Sequence, residues 1–336
     1  MNRSDRRRAA TGIALVTALL GTAATAVAWR GADREPTTDS LHLRRAGTVV
    51  SVDSGRVRQT TRAGEPLGSG PSCERAAVAA GTLVCLRGLP GPMSSEVRVY
   101  RAGDSSPRVT LPVWGQPSRA RVSPSGRLVA WTVFRTGDSY VQQGRFSTTA
   151  GIYDLETGAH HGSLEDFTPV VDGKPYRKDD RNFWGVTFAR DDRTFYVTMA
   201  SRGQTWLMRG DLGTRRLTAV RQNVECPSLS PDGTRIAYKK RVGDRWRLHV
   251  LHLGSGEDVP LAETADIDDQ AAWLDDRTVA YAKPSGGGPH VFTVPADGSG
   301  TPREAFRGSS PTPTTGPERP SAGGRSTPVH TPATRA

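Results

Sequence analysis

Four pairs of adjacent aspartates, one pair of histidines and three cysteines are the groupings in this 336-residue chain whose types and spacing could do chemistry. Neighbouring carboxylates can share a hard divalent cation, and neighbouring histidines a transition metal. Asp191-Asp192 and Asp275-Asp276 each fall in a turn that recurs along the chain, where an Asp is explained by its bonds to nearby backbone. Asp179-Asp180 and Asp268-Asp269 fall in connecting loops, and a calcium role for them stays open. His160 and His161 are neighbours in a hairpin turn, a placement that rarely converges on one metal. No Cys/His spacing matches a metal site, so neither a metal nor a cofactor is expected. The Gly-x-Ser-x-Gly elbow of a hydrolase and the glycine-rich phosphate loops are also absent. The expectation is a protein that is not an enzyme.

Cys73, Cys85 and Cys226 allow one disulfide and leave a thiol over. Cys73 and Cys85 fall on consecutive expected strands, and two readings stand: a disulfide in an oxidising compartment, or two small buried hydrophobes. The N-terminus points to export. Arg3, Arg6, Arg7 and Arg8 precede an uncharged run from Gly12 to Ala28, and Ala26-Val27-Ala28 offers a small-x-small cleavage site. Residues 1–29 are therefore a signal peptide or a retained membrane anchor, placing the protein outside the cytoplasm, secreted or membrane-anchored. Residues 30–40 read as a spacer. Residues 311–336, rich in Pro, Ser, Thr and Gly, read as a disordered tail.

The formal net charge is +11, but residues 1–35 and 307–336 carry +3 each and the middle mixes both signs. A nucleic-acid binder should concentrate its basic side chains on one element, so no nucleic-acid partner is expected. Membrane association through the N-terminus stays open.

The elements that would position any site are set by a repeat. Val122-SPSGRLVAW-Thr132, Phe188-ARDDRTFYV-Thr198, Leu229-SPDGTRIAY-Lys239 and Trp273-LDDRTVAY-Ala282 share one pattern, with Val78-AAGTLVC-Leu86 a degenerate copy. Their turn residues Gly81, Gly126, Asp192, Gly233 and Asp276 are 45, 66, 41 and 43 residues apart. A period in the low forties is that of a four-stranded propeller blade. Each turn is followed by a run that is apolar on both faces, as a strand covered from both sides needs. Six further hairpins, from Val49–Thr61 to Val291–Ala305, complete the pattern. The expected fold is all-β: a six-bladed propeller over residues 41–310, monomeric, with one blade closed by both chain ends. Leu41–Arg44 and Val49–Thr61 would supply its N-terminal side, and about Glu304 to Ser310 its innermost strand.

The Ser-Pro-Asp-Gly-x-x-Ile-Ala-Tyr units resemble those of TolB-like propellers over roughly residues 71–305. The copy at Ser228–Tyr238 is nearly ideal and that at Ser123–Trp131 close, while those around Asp192 and Asp276 lose the Ser-Pro. The chain is similar to the short exported TolB-like proteins of Gram-positive bacteria. Prolyl-oligopeptidase-type enzymes carry such repeats too, so the motif specifies fold far better than function. The resemblance implies a scaffold, with a translocation-related role by analogy only, since no partner like TolB's lipoprotein is legible.

In an up-and-down blade the loops after the second and fourth strands lie on one face of the disc. The spacing of 66 marks an insertion shared by two such loops, Thr136–Ala150 and Ser163–Asn182. That face should gather Tyr140, Asp172, Tyr176, Arg177, Arg181 and Trp184, with Glu225, Asp268 and Asp269 from later blades. Aromatic and arginine side chains mixed with acids on loops suit a protein, peptide or cell-wall glycan partner. The alternative is a lactonase- or glycan-lyase-type propeller with a channel site. It would need acids, His or Asn at the channel, whereas Ser118-Arg-Ala-Arg, Gly185-Val-Thr-Phe and Gln270-Ala-Ala-Trp supply no such ring.

Overall fold

The recurring turns are built by their own side chains. At Ser230-Pro231-Asp232-Gly233 the Gly233 N–H donates to the Ser230 carbonyl at 2.9 Å, and the Asp232 carboxylate accepts from Ser230 Oγ and the Thr234 N–H. Gly233 sits at φ +75°, free of cost for a residue without Cβ. Asp192 takes the equivalent left-handed place at φ +49°, which Asp tolerates better than most residues.

A computed structural model describes residues 40–135 and 147–315. The expected signal or anchor, most of the spacer, the loop tip with Tyr140 and the tail beyond residue 315 lie outside the described residues. The described chain forms six sheets around an axis, five antiparallel ones of four strands and a mixed one of six. It is a six-bladed β-propeller. The innermost strands of blades two to six are Arg75–Ala79, Gln116–Val122, Asn182–Phe188, Glu225–Leu229 and Ala272–Asp275. Among the described residues no helix is long and apolar enough to cross a membrane.

Six buried apolar clusters hold the disc, one at each blade-to-blade interface. The largest joins Leu128, Ala130 and Ile152 of blade three to Phe183, Phe195, Met199 and Trp206 of blade four. Each such side chain, fully buried, contributes roughly 1.5–3 kcal/mol. The smallest cluster, Val49, Leu274, Ala280 and Val291, lies where blade six meets blade one.

Blade one closes the ring with both chain ends, in the order Ser309–Pro313, Thr48–Asp53, Arg56–Thr61, Pro66–Ser72 from the axis outward. The closing strand therefore lies later than the expected Glu304–Ser310, and the sheet runs past residue 310. Arg303–Arg307 is instead the outer strand of blade six. The reason is chemical: Pro311 and Pro313 cannot donate to a ladder, but an innermost strand has one edge free toward the axis. Val49–Thr61 is correspondingly the second and third strand of its blade and not an outer hairpin. Leu41–Arg44 forms no strand. Leu41 and Leu43 are buried against Val50, Val57 and Cys73, and the Gln59 amide clasps both backbone groups of His42.

Candidate functional site

The topology gives the disc two unlike faces. One carries the recurring turns. The other, expected to be loop-rich, carries the connections between blades, and there a cleft of about 740 Å3 is lined by Arg75, Asp266, Asp268, Asp269, Lys283 and the Gly286–Gly288 turn. Its acidic wall is the loop between blades five and six. That loop is held by its own carboxylates: Asp266 accepts from the Trp246 N–H at 2.7 Å and Asp269 from the Ala282 N–H at 2.9 Å. Asp268 accepts from Lys239 Nζ at 2.5 Å, yet its side chain is 71% exposed while that of Lys239 is 3% exposed. Asp268 thus covers a buried cation and still faces solvent. Beside it the Trp246 ring is contacted by two cations, Lys239, 4.5 Å from its centroid, and Arg241, at 4.4 Å. Its indole N–H donates to Glu225 at 3.0 Å.

Behind the cleft the axial channel is filled. Arg119 reaches from blade three across the axis to the Asp268 carbonyl at 3.0 Å, and Arg121 to the Ala271 carbonyl at 3.2 Å. Gln270 Nε2 donates to Pro227 of blade five at 2.9 Å. Arg75 donates to the Ser118 carbonyl, and burial followed by the Arg119 charge pushes its guanidinium below the ordinary value. Gly185, at φ +72°, allows blades four and five to meet here, since a Cβ would stand 2.8 Å from the Cys226 Cα. Among the described residues no three His, Cys, Asp or Glu side chains converge as metal ligands.

The expected site residues divide into two groups. Asp268, Asp269 and Glu225 belong to the cleft and its Trp246 flank. Arg181 donates to the Tyr176 carbonyl, and Trp184 is packed away at 9% exposure. Asp172, Tyr176 and Arg177 do not build up this face in the way expected of their loop. Thr168–Val171 pairs parallel with Arg216–Gln222 as a fifth strand of blade four, and Lys174–Pro175 adds a sixth. Leu164, Phe167 and Val170 are buried beneath, so the insertion is claimed by its own apolar residues. Asp172 marks the tip of that outer hairpin at φ +50°. Tyr176 packs at a tilt against Trp206, with ring centroids 5.7 Å apart, and donates to Ser201, and Asp180 accepts from Ser201 Oγ and the Arg202 N–H. Both pin the loop, while Arg177 stays exposed. The arginines that fill the channel carry one sign in the sequence, the alternation of Arg119 and Arg121, which points both to one side of a strand.

No protein-family model and no curated protein matches the chain. Solved structures do. TolB from Acinetobacter baumannii superposes with a TM-score of 0.58 at 16% identity, over 80% of this chain and 66% of that one. The fold is that of a TolB-like propeller. A chain of a nidogen–laminin complex gives a TM-score of 0.53 at 10% identity, over 80% of this TolB-like propeller and 98% of that chain. An oligogalacturonate lyase in complex with manganese gives 0.46 at 11% identity, over 74% of each chain. At these identities the likeness concerns the fold.

Proposed function

We propose that this TolB-like propeller is an exported, non-catalytic, monomeric scaffold that holds a protein or cell-envelope partner in the cleft of its loop-rich face. The observation that carries the reading is the pairing of an exposed Asp268 with an aromatic ring contacted by two cations, Lys239 and Arg241, beside a cleft whose floor is closed. Aromatic and arginine side chains at a cleft are the usual anchors of a recognition surface. A chain of similar fold belongs to a nidogen–laminin complex, a protein–protein assembly. Export rests on the basic and apolar segments at the N-terminus, and the Cys73–Cys85 disulfide suits an oxidising compartment. Among the earlier site residues, Glu225, Asp268 and Asp269 are kept for the partner; Asp172, Tyr176 and Arg177 belong to the outer edge of blade four and are not.

Deleting Ser163–Arg181 would remove buried core, so the test is a surface variant. The double substitution Trp246→Ala and Asp268→Arg should lose the partner that co-purifies with wild type from envelope extract, by at least about tenfold; it melts lower, because Lys239 loses its counter-ion, so capture is compared at a temperature where both proteins are folded. Retention of that partner by the folded variant would refute the assignment of the cleft.

A further inference from the structure

On the opposite face the recurring turns are joined in an arc. Thr82 Oγ1 donates to the Gly126 carbonyl, Ser125 Oγ to Asp192, Arg190 Nε to the Pro231 carbonyl, and the Asp232 N–H to Asp276. Arg62 of blade one extends this arc to blade six, where it meets Asp275 and the Leu274 carbonyl. Inside it opens a funnel of about 820 Å3, within the size range of small-molecule sites.

The funnel is electrostatically one-sided. Arg44, Arg101, Arg121 and Arg190 line it, against a single carboxylate, Asp232. That carboxylate is already engaged by Ser230, Thr234 and Arg235. At the floor, Arg121 lines both the funnel and the narrow void of the channel behind it. Its hydrogen bond to the Ala271 carbonyl is long, at 3.2 Å, and its Nε is buried without a partner. Burial pushes its pKa down to about 10, the direction expected of a cation taken out of water without a bonded counter-ion. Arg119, two residues earlier on the same strand, shows the contrast: it bonds the Ser118 and Asp268 carbonyls toward the other face. The walls above Arg121 include the apolar side chains of Phe188, Leu229 and Trp273.

We propose that this funnel binds a small organic anion, whose carboxylate or phosphate group pairs with Arg121 while its apolar body lies against Phe188, Leu229 and Trp273. A guanidinium meets either oxyanion with paired N–H donors. In this low-dielectric floor the pairing is stronger than on an open surface, and the rigid arc of turns preorganises it. The site lies on the face away from the proposed partner cleft, so either assignment can fail without the other.

The test is calorimetric titration of the full-length protein with phenyl phosphate, phenylacetate, inorganic phosphate, acetate and benzyl alcohol at constant ionic strength. Phenyl phosphate or phenylacetate should bind at least about tenfold more tightly than the bare anions, and benzyl alcohol should not bind. Whichever aromatic anion binds more tightly identifies the head group as phosphate or carboxylate. R121Q should lose this binding while melting at or above the wild-type temperature, because it removes a buried charge lacking a bonded counter-ion. R121K, which keeps the charge but not the paired donors, should fall between. The proposal is overturned if no aromatic anion binds, if bare anions bind as well as aromatic ones, or if R121Q binds like wild type.

Discussion

Tyr281 and Tyr238 occupy the last position of the repeat, between blades, and each must satisfy a hydroxyl there. Tyr281 donates to Glu263 at 2.5 Å, and that carboxylate also takes Lys283 at 2.7 Å. Tyr238 donates to Asp258 at 2.9 Å, which also meets Lys240 and His249. Tyr281→Phe should therefore lower stability by about 1–2 kcal/mol in denaturant unfolding, with the fold kept. His249 is pushed below the ordinary histidine value, by burial before all else and against the pull of Asp258. Burial likewise lowers His161. The unfolded chain thus takes up protons near pH 6.5 that the folded one resists. Asp154, held low by hydrogen bonds from Arg127, adds the same trend in the carboxylate range. All three cases leave more protons on the unfolded state, so stability falls as pH falls. Calorimetry should show the melting temperature declining from pH 7 to pH 4, beginning below about pH 6.5; a melting temperature flat to pH 5 would contradict the histidine part. At this scale the repeat's tyrosines were legible as inter-blade residues. Ser118-Arg-Ala-Arg could be placed at the channel, but that Arg119 and Arg121 fill it could not, because a strand's period gives sidedness and not what a side chain meets across an axis.

Closure is the decisive event among the elements. Thr48 and Thr314 hydroxyls lie 2.6 Å apart, and the Thr314 N–H donates to the Thr48 carbonyl at 3.0 Å. Arg307 meets Asp53 at 3.0 Å just before the closing strand begins. Without Ser309–Pro313, Thr48–Asp53 would become an open edge at the interface with the smallest core cluster. Truncation after Gly308 should abolish a single cooperative thermal transition, whereas truncation after Thr315 should leave it in place. Gly210 marks another constraint between strands: a Cβ there would lie 2.2 Å from the ring of fully buried Phe195. Gly210→Ala should cost about 1–3 kcal/mol through overpacking, measured by the same unfolding. The four clear turns and their strands could be read from Ser-Pro-x-Gly and its Asp variants. The closing strand could not, since its prolines and threonines look like the start of a tail until an axis with a free inner edge is supplied. The strand pair Thr168–Val171 and Lys174–Pro175 escaped for a related reason: the spacing of 66 reveals an insertion but not that it pairs with the outer edge of its blade.

For the molecule as a whole, the filled channel separates two faces of different chemistry. One has a mixed-charge cleft with an aromatic flank, the other an arginine-lined funnel inside an arc of bonded turns. The Cys73–Cys85 link, spanning 12 residues at the junction of blades one and two, constrains the unfolded chain. Removing both thiols with Cys73→Ala and Cys85→Ala should cost about 2–4 kcal/mol. The account's central claim is that a partner seats on the loop-rich face, and in-cell photo-crosslinking tests it most directly. A photoreactive residue at Pro284 or Pro289, which line the cleft, should capture one discrete partner band, and the same residue at Pro231 or Arg190, on the turn face, should capture none. Equal capture from both faces, or capture from the turn face alone, would contradict it.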